Sequence, residues 1–381
     1  RAVLERHVLD GHHLGPAAHW LLDNAALVDE QAVLIRDGLS PGFYRRLPRL
    51  RDEPLRGLPR IYGVAWAWVA HTDSGLDDGL LTAFLDAYQS VRPLTLAEQW
   101  AWPTTLRAVL LENLRRLAER TALVEVARDM AHRWVDLADD ARHLGQLDPL
   151  VERLARRGVD VPFLLQLQQR EDEMPPEQAR GLAAWLMLRL PDPMAALAAQ
   201  QTLATEDHQS IRNAITTLRQ LDRVDWRGLM RETSPLLRTL LQSPVFRAER
   251  DDTQDATLQA VERLARLSGH SELEVGEALQ TLTARHVDPA SPGAAPAHWW
   301  QGAGRHELWR ALNLDRRRSA SETDDSPRQR WLRWRTALYL GTLAALAGSA
   351  TLWLMHHQAD AAAPAWLQWL AGLLLLGPVG E

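Results

Sequence analysis

The sequence predicts an all-α protein, a cytoplasmic multi-helix bundle followed by transmembrane helices. From residue 1 to about 286, Ala, Leu, Arg and Glu dominate and runs of β-branched residues are absent, which favours helices over strands. Further on, Thr336 to Met355 is an uncharged run of about 20 residues, the length of helix that crosses a hydrocarbon core. Both observations indicate helix throughout.

The composition limits the classes of function. A chain of 381 residues that is 46% hydrophobic can bury a sizeable core. It contains no cysteine, which excludes disulfides, thiolate nucleophiles and cysteine metal sites. A net charge of −6 gives no general reason to bind nucleic acid, and we expect no nucleic-acid partner. Because the chain opens on Arg1 and stops at Glu381 after an apolar run, we expect a fragment of a longer protein.

The first predicted helix contains a polar residue on its apolar face. In HWLLDNAALVDEQ, residues 19–31, Trp20 and Leu27 lie seven positions apart on one face, and Asn24 lies between them. Asn113 similarly interrupts an apolar stripe in LRAVLLENLRRL. A buried amide without a partner costs about 1–3 kcal/mol. We therefore predict interhelical hydrogen bonds that select the register, with ligand contact as the alternative.

Helix starts carry recognisable capping chemistry. Thr95 with Glu98, and Ser271 with Glu274, form capping-box patterns. A side-chain acceptor precedes a first-turn proline at three further sites, Asp192-Pro193, Ser234-Pro235 and Ser243-Pro244. The helix opened by Thr95 is predicted to continue as far as Asp140.

Four regions follow from the changes in composition. They are an N-terminal helical region at 1–142, a second helical region at 143–286, a linker with one short helix at 287–330, and two transmembrane helices at 331–381, the second truncated. Arginines cluster at 316–335 before the first span, and HHQAD after it has none, which predicts a cytoplasmic helical body. The alternative is a buried hydrophobic hairpin.

Several candidate sites give weak signals. His71, Asp73 and Ser74 invite comparison with a catalytic triad, but no oxyanion loop or strand-to-helix elbow accompanies them, so we predict helix-end capping. Asp23 and Glu30 lie two helical turns apart, about 10 Å, too far for an acid and base pair.

Metal and phosphate signals are equally weak. His12-His13 and His356-His357 lack the spacing of a metal site. Gly302 and Gly304 form a lone Gly-x-Gly without a strand. We predict no catalytic, cofactor-binding or metal-binding residue in this chain.

A basic and aromatic cluster is the remaining surface feature. It consists of Arg45, Arg46, Arg49 and Arg60 with Tyr44 and Tyr62. Such a group suits an acidic partner or anionic lipid headgroups, and a solvated face is the alternative.

Several long stretches resemble bacterial cyclic β-1,2-glucan synthases in their N-terminal region. These are residues 19–31, GFYRRLPRL at 42–50, residues 55–78, residues 80–120 and DHQSIRNAITTLRQLDRVDW at 207–226. The resemblance implies a large multi-pass enzyme of the bacterial inner membrane that polymerises glucose from UDP-glucose with a family 84 glycosyltransferase domain. That domain would lie beyond Glu381, and UDP-glucose and a divalent metal are expected there, not in this chain.

The resemblance also suggests a role for the helical body. We expect it to scaffold the transferase domain, with that domain and the lipid bilayer as its partners. The alternative is a membrane-anchored helical protein-interaction module without a catalytic role. An independent helical hydrolase is disfavoured because no convergent acid and base pair is visible.

Overall fold

The computed structural model describes residues 4–5, 15–136, 145–174, 176–286 and 288–314. Helices run through these residues, and no strand occurs among them apart from an isolated bridge between Arg49 and Pro59. The helices are α1 Pro16–Asp23, α2 Ala25–Gly38, α3 Pro41–Tyr44, α4 Arg60–His71, α5 Asp78–Val91, α6 Leu96–Asp136, α7 Leu147–Ala155, α8 Asp160–Arg170, α9 Pro176–Arg189, α10 Pro193–Gln220, α11 Trp226–Thr233, α12 Pro235–Leu240, α13 Pro244–Ala248, α14 Asp251–Ser268, α15 Glu272–Thr283, α16 Pro296–Trp300 and α17 Arg305–Ala311. The predicted all-α class is confirmed.

The chain forms two compact units, Arg1–Leu308 and Trp309–Glu381. The two predicted membrane spans and the arginines before them lie outside the described residues. Within the described ranges, no helix combines the length and the apolar character that crossing a bilayer requires. The predicted boundary between residues 142 and 143 also falls outside them, so both the spans and the domain boundaries stay predictions.

The longest helix, α6, joins two hydrophobic cores. It has 41 residues and is therefore about 60 Å long. Its first half, including the fully buried Leu106 and Leu110, packs with α2, α4 and α10. Its second half, including Ala127 and Ala131, packs with α8 in a second core to which α7 and α9 also contribute. The helix predicted from Thr95 is confirmed up to Asp136, where the described residues stop.

The third group of helices packs at the C-terminal side of this unit. Here α12 packs on α15, and α15 packs in turn on α14 and α16. The Ser271 hydroxyl accepts from the Glu274 amide at 3.2 Å, and the Glu274 carboxylate accepts from the Ser271 amide at 2.6 Å. The predicted capping box is therefore present and starts α15 at a fixed residue.

The other predicted helix starts are confirmed as well. Thr95 forms the second capping box with Glu98, and the acceptors before the three prolines, Asp192, Ser234 and Ser243, each accept from the backbone amide three residues later. Local side-chain chemistry was therefore sufficient to predict these helix starts.

The prediction of one continuous helix through residues 19–31 is wrong, because the chain breaks at Asn24. The Asn24 side chain donates to the Trp20 carbonyl oxygen at 2.7 Å, the same oxygen that accepts from the Asn24 backbone amide at 3.2 Å. An Asn side chain that bonds the preceding turn competes with the helix ladder. The predicted interhelical bond is confirmed: the Arg219 guanidinium of α10 donates to the Asn24 oxygen at 2.5 Å.

The predicted single helix after residue 297 is also wrong, since α16 and α17 are separate. At Gly302, a Cβ atom would lie 2.7 Å from the His298 carbonyl oxygen, and at Gly304 it would lie 2.6 Å from the Trp299 ring. Both glycines thus allow a close approach of the chain to α16, which explains the Gly-x-Gly pattern without a phosphate.

Candidate functional site

A groove is present among the described residues where the start of α6 meets α12, α14 and α15. We call it the Glu272 groove. Its volume is about 410 Å³, within the range of ligand and side-chain pockets. It is lined by Pro93, Leu94, Thr95, Pro235, Leu236, Glu262, Ala265, Arg266, His270, Ser271, Glu272 and Leu273. Six of these twelve residues are aliphatic, and none is Phe, Tyr or Trp.

A buried ion pair fixes the α6 side of the groove. Glu98 has no exposed surface, and its carboxylate accepts from the Arg60 guanidinium at 2.8 and 2.5 Å. The Thr95 amide donates to the same carboxylate at 2.9 Å, and Arg60 also donates to the Pro93 carbonyl oxygen at 3.0 Å. Bidentate pairs of this kind are strong and directional, so the segment from Pro93 to Glu98 is held rigidly.

This ion pair corrects the prediction for Arg60. The sequence placed Arg60 in a surface cluster with Arg45, Arg46 and Arg49, but its residue surface is 9% exposed. This pair was not predicted, because Glu98 lies 38 positions from Arg60 and was interpreted only as a capping residue. One of the four arginines that cluster in the sequence, Arg60, is therefore an interior residue.

The second carboxylate, that of Glu272, titrates near neutral pH. Burial raises the pKa of Glu272 to about 7, and repulsion from Glu262 and Glu98 acts in the same direction. A hydrogen bond from the Leu96 amide, at 2.6 Å, opposes this rise because it favours the ionised form. Glu272 thus exchanges between neutral and charged forms in the physiological range.

Two polar residues at the rim of the groove, Arg266 and His270, have carboxylate neighbours. Arg266 lies 3.5 Å from the Glu262 carboxylate, and His270 lies 3.7 Å from that of Glu274. Glu98 is committed to Arg60, so Glu272 has no free carboxylate beside it to complete an acid and base pair. The groove is suited to binding a hydrogen-bond donor or a cation rather than to catalysis.

The predicted triad candidates do not assemble. The His71 ring nitrogen contacts the Ala67 carbonyl oxygen of its own helix at 2.7 Å. The hydroxyl of the fully buried Ser74 accepts from the Asn113 side chain at 2.9 Å, and the Asp73 carboxylate accepts from the Asn213 side chain at 3.1 Å. The predicted helix-end role thus holds for His71, whereas Asp73 and Ser74 bind side chains of other helices. The predicted interhelical bond of Asn113 is not observed, because its partner Ser74 lies in this turn.

The turn itself is held from α10. Asp73 and Ser74 have φ values of 48° and 64°, in the left-handed region that non-glycine residues rarely adopt. The Ser210 hydroxyl bonds the Asp73 carboxylate, and the Thr217 hydroxyl donates to the Ser74 carbonyl oxygen at 2.7 Å. Several polar bonds from one helix thus stabilise the strained turn.

The remaining basic cluster stays at the surface. The Arg49 guanidinium lies 5.5 Å from the Tyr44 ring centre and donates to the Gly57 carbonyl oxygen at 2.7 Å, and Arg46 lies 5.7 Å from the Phe43 ring centre. These contacts order the arginines locally. The contact of this cluster with an acidic partner or anionic headgroups stays a prediction.

The structure gives no candidate metal centre in the part of the chain that it describes. No group of three or more His, Asp or Glu side chains there could hold a metal ion. His12-His13 and His356-His357 fall outside that part.

Comparison with known proteins finds one long similarity. No family model matches the chain. The curated cyclic β-(1,2)-glucan synthase NdvB of Rhizobium meliloti (strain 1021) is 35% identical over 295 residues, which is 75% of this chain. The resemblance is thereby confirmed: the chain is homologous to part of a cyclic β-(1,2)-glucan synthase. It spans 10% of the length of that relative.

A second similarity is much shorter. A homoserine kinase of Methylobacillus glycogenes is 52% identical over 50 residues, 12% of this chain and 16% of the kinase. A stretch of this length defines neither the fold nor a site of the chain.

Proposed function

We propose that this chain is the cytoplasmic helical part and first membrane-spanning part of a cyclic β-1,2-glucan synthase, and that it scaffolds the glucosyltransferase domain. The similarity to a synthase over 75% of the chain carries the proposal. In this proposal the transferase domain polymerises glucose from UDP-glucose with a divalent metal, at the bacterial inner membrane.

The architecture of the helical body supports a scaffolding role. The helix α6 is continuous through two cores, and a scaffold needs such a rigid element to keep two surfaces at a fixed distance. The ion pair of Arg60 with Glu98 and the clamped turn at Asp73 fix helix positions by directional bonds. Neither feature requires the helical body itself to bind a substrate.

The Glu272 groove is the surface that we assign to the transferase domain. In this cleft Glu262 is already paired with Arg266, which leaves the Glu272 carboxylate to meet an Arg or Lys side chain whose stem packs on the aliphatic residues. The occupant that we propose is therefore a basic side chain of that domain. An arriving cation lowers the pKa of Glu272 from about 7, so the contact tightens as pH rises through neutrality.

The test is glucosyl transfer in membranes that contain the complete natural protein with Glu272→Gln. Gln keeps the size of the side chain but removes the charge that the basic partner meets. The matched control is Glu277→Gln, an exposed change on the same helix α15. We expect the rate of UDP-glucose incorporation to fall severalfold in the first variant and to stay unchanged in the second. Equal rates in both variants would reject the groove contact.

The scaffold role itself is tested separately, by deleting residues 1–290 from the same protein. Lost or shortened glucan at equal protein level is the expected result. An unchanged rate and product would reject the scaffold, whatever the groove variant does.

One observation favours the alternative, a membrane-anchored interaction module that recruits another protein. Met187, Leu188 and Met194, at the junction of α9 and α10, are 75%, 83% and 74% exposed. Exposed apolar side chains this close in sequence are typical of a binding surface. Replacing all three by Gln would abolish recruitment but leave glucosyl transfer intact if this alternative holds.

A further inference from the structure

A small cavity lies between α5, α6 and α11, apart from the Glu272 groove. Nine residues line it: Leu85, Gln89, Leu94, Gln99, Trp102, Trp226, Leu229, Met230 and Thr233. The space open to a water molecule inside it is about 20 Å³. One water needs about 10–15 Å³ measured in this way, so the cavity has room for one and not for two.

Three buried polar atoms of these lining residues have no hydrogen-bond partner within the protein. They are the side-chain oxygens of Gln89 and Gln99 and the indole nitrogen of Trp102. The three residues are 2%, 6% and 3% exposed, so bulk water does not reach them. A buried polar group without a partner costs about 1–3 kcal/mol, and such groups are rare in native proteins.

The orientation of both amides is fixed by their other ends. The Gln89 amide nitrogen donates to the Thr233 carbonyl oxygen at 3.0 Å, and that of Gln99 donates to the Leu94 carbonyl oxygen at 2.9 Å. A carbonyl oxygen only accepts, so neither amide can be turned over without losing its bond. Both side-chain oxygens are therefore acceptors in need of a donor.

We propose that this cavity is a binding site for one ordered water molecule that joins α5 to α6. The water donates its two hydrogens to the oxygens of Gln89 and Gln99 and accepts from the Trp102 indole, which satisfies all three atoms. A site with two acceptors and one donor selects water, because water can donate two hydrogen bonds and also accept one. An ammonium ion cannot accept from the indole, and a metal ion is repelled by the indole N–H.

The site also fixes the start of α6 beside the groove. Leu94 lines both cavities, and its carbonyl oxygen holds Gln99. The water, Gln99 and Leu94 form a chain of hydrogen bonds to the wall of the Glu272 groove. The proposal depends on the cavity and its unpaired atoms and not on the function proposed above.

The first test is a high-resolution crystal structure of the 381-residue chain, with nuclear Overhauser transfer from water to the tryptophan indole protons. We expect one density peak within hydrogen-bond distance of all three atoms. We also expect a water contact at one indole proton that Trp102→Phe removes. Direct contact among the three side chains, with no peak between them, would overturn the proposal.

Variants provide the second test. Trp102→Phe removes the donor and keeps an aromatic ring. Gln99→Met removes one acceptor at similar size, together with the amide donor to the Leu94 carbonyl oxygen. The matched control is Trp226→Phe, because the Trp226 indole lines the same cavity but donates directly to the Leu221 carbonyl oxygen at 3.0 Å. All three changes should raise the unfolding equilibrium constant, by about fivefold for the loss of one hydrogen bond.

A shared water and independent losses of single hydrogen bonds predict different stabilities for the double variants. If one water links Gln99 to Trp102, the double variant is less destabilised than the product of the single effects, while Trp226→Phe with Gln99→Met is multiplicative. Persistence of the water density in Trp226→Phe and its loss in Trp102→Phe would complete the expected pattern. Multiplicative effects in both pairs would overturn the proposal.

Discussion

Replacing Glu272 by Gln should stabilise the protein at alkaline pH. The carboxyl group has a pKa of about 7 in the folded chain and an ordinary value of 4.5 when unfolded, so folding favours the protonated form. The stability that Glu272 contributes is fully present below pH 4.5 and is lost as pH rises through 7. Gln has no such loss, and its oxygen can still accept from the Leu96 amide.

The magnitude follows from the same pKa. A difference between 4.5 and about 7 corresponds to about 3 kcal/mol, if the carboxyl were fully enclosed. The groove is open to solvent on one side, which reduces the effect by screening. We therefore expect Glu272→Gln to raise the free energy of unfolding by about 1–2 kcal/mol at pH 8 and by almost nothing at pH 4.5.

Denaturant unfolding from pH 4.5 to 8.5, followed by tryptophan fluorescence, measures this directly. The difference between the variant and the unmodified protein is the informative quantity, since other groups titrate equally in both. Glu277→Gln serves as the control and should show a small difference that does not change with pH. A pH-independent effect of Glu272→Gln, or destabilisation at pH 8, would refute the burial argument.

Three further changes test the packing of the helical body. Arg60→Met should cost about 3–5 kcal/mol in thermal or denaturant unfolding, because it leaves the buried Glu98 carboxylate without its cation. Asn24→Leu should cost about 1–3 kcal/mol, since it removes the acceptor of Arg219; a more stable variant with an unchanged helix pairing would count against the register hypothesis. Gly304→Ala should cost about 1–3 kcal/mol by steric conflict with an indole ring, and neutral behaviour in a thermal melt would contradict the close approach.

Local features of the fold were predictable from sequence because they depend on neighbours along the chain. The capping box of Ser271 with Glu274 and the long helix after Thr95 depend on side chains a few positions apart. The break at Asn24 was not predicted, because the apolar spacing continues across it. There a side-chain bond to the preceding turn outweighs the periodicity.

The candidate site could not be predicted from the sequence, because its contacts join residues that are far apart along the chain. Glu98 meets Arg60 and Glu272 meets Leu96 across 38 and 176 positions, and no local pattern encodes such pairs. Glu98 belongs to a capping box and Glu272 lies beside one. Both therefore look like ordinary helix-start residues, and their burial is not evident from the sequence. Burial, which raises the pKa of Glu272, is a property of the packed helices α12, α14 and α15 and not of its sequence neighbours.

The most direct measurement of the proposed function is the rate at which labelled glucose from UDP-glucose enters β-1,2-glucan in membranes. The complete natural protein is compared with the same protein lacking residues 1–290, at matched protein level. If the helical body scaffolds the transferase domain, the shortened protein makes little or no glucan. Synthesis at the full rate, with rings of the same size, would contradict that role.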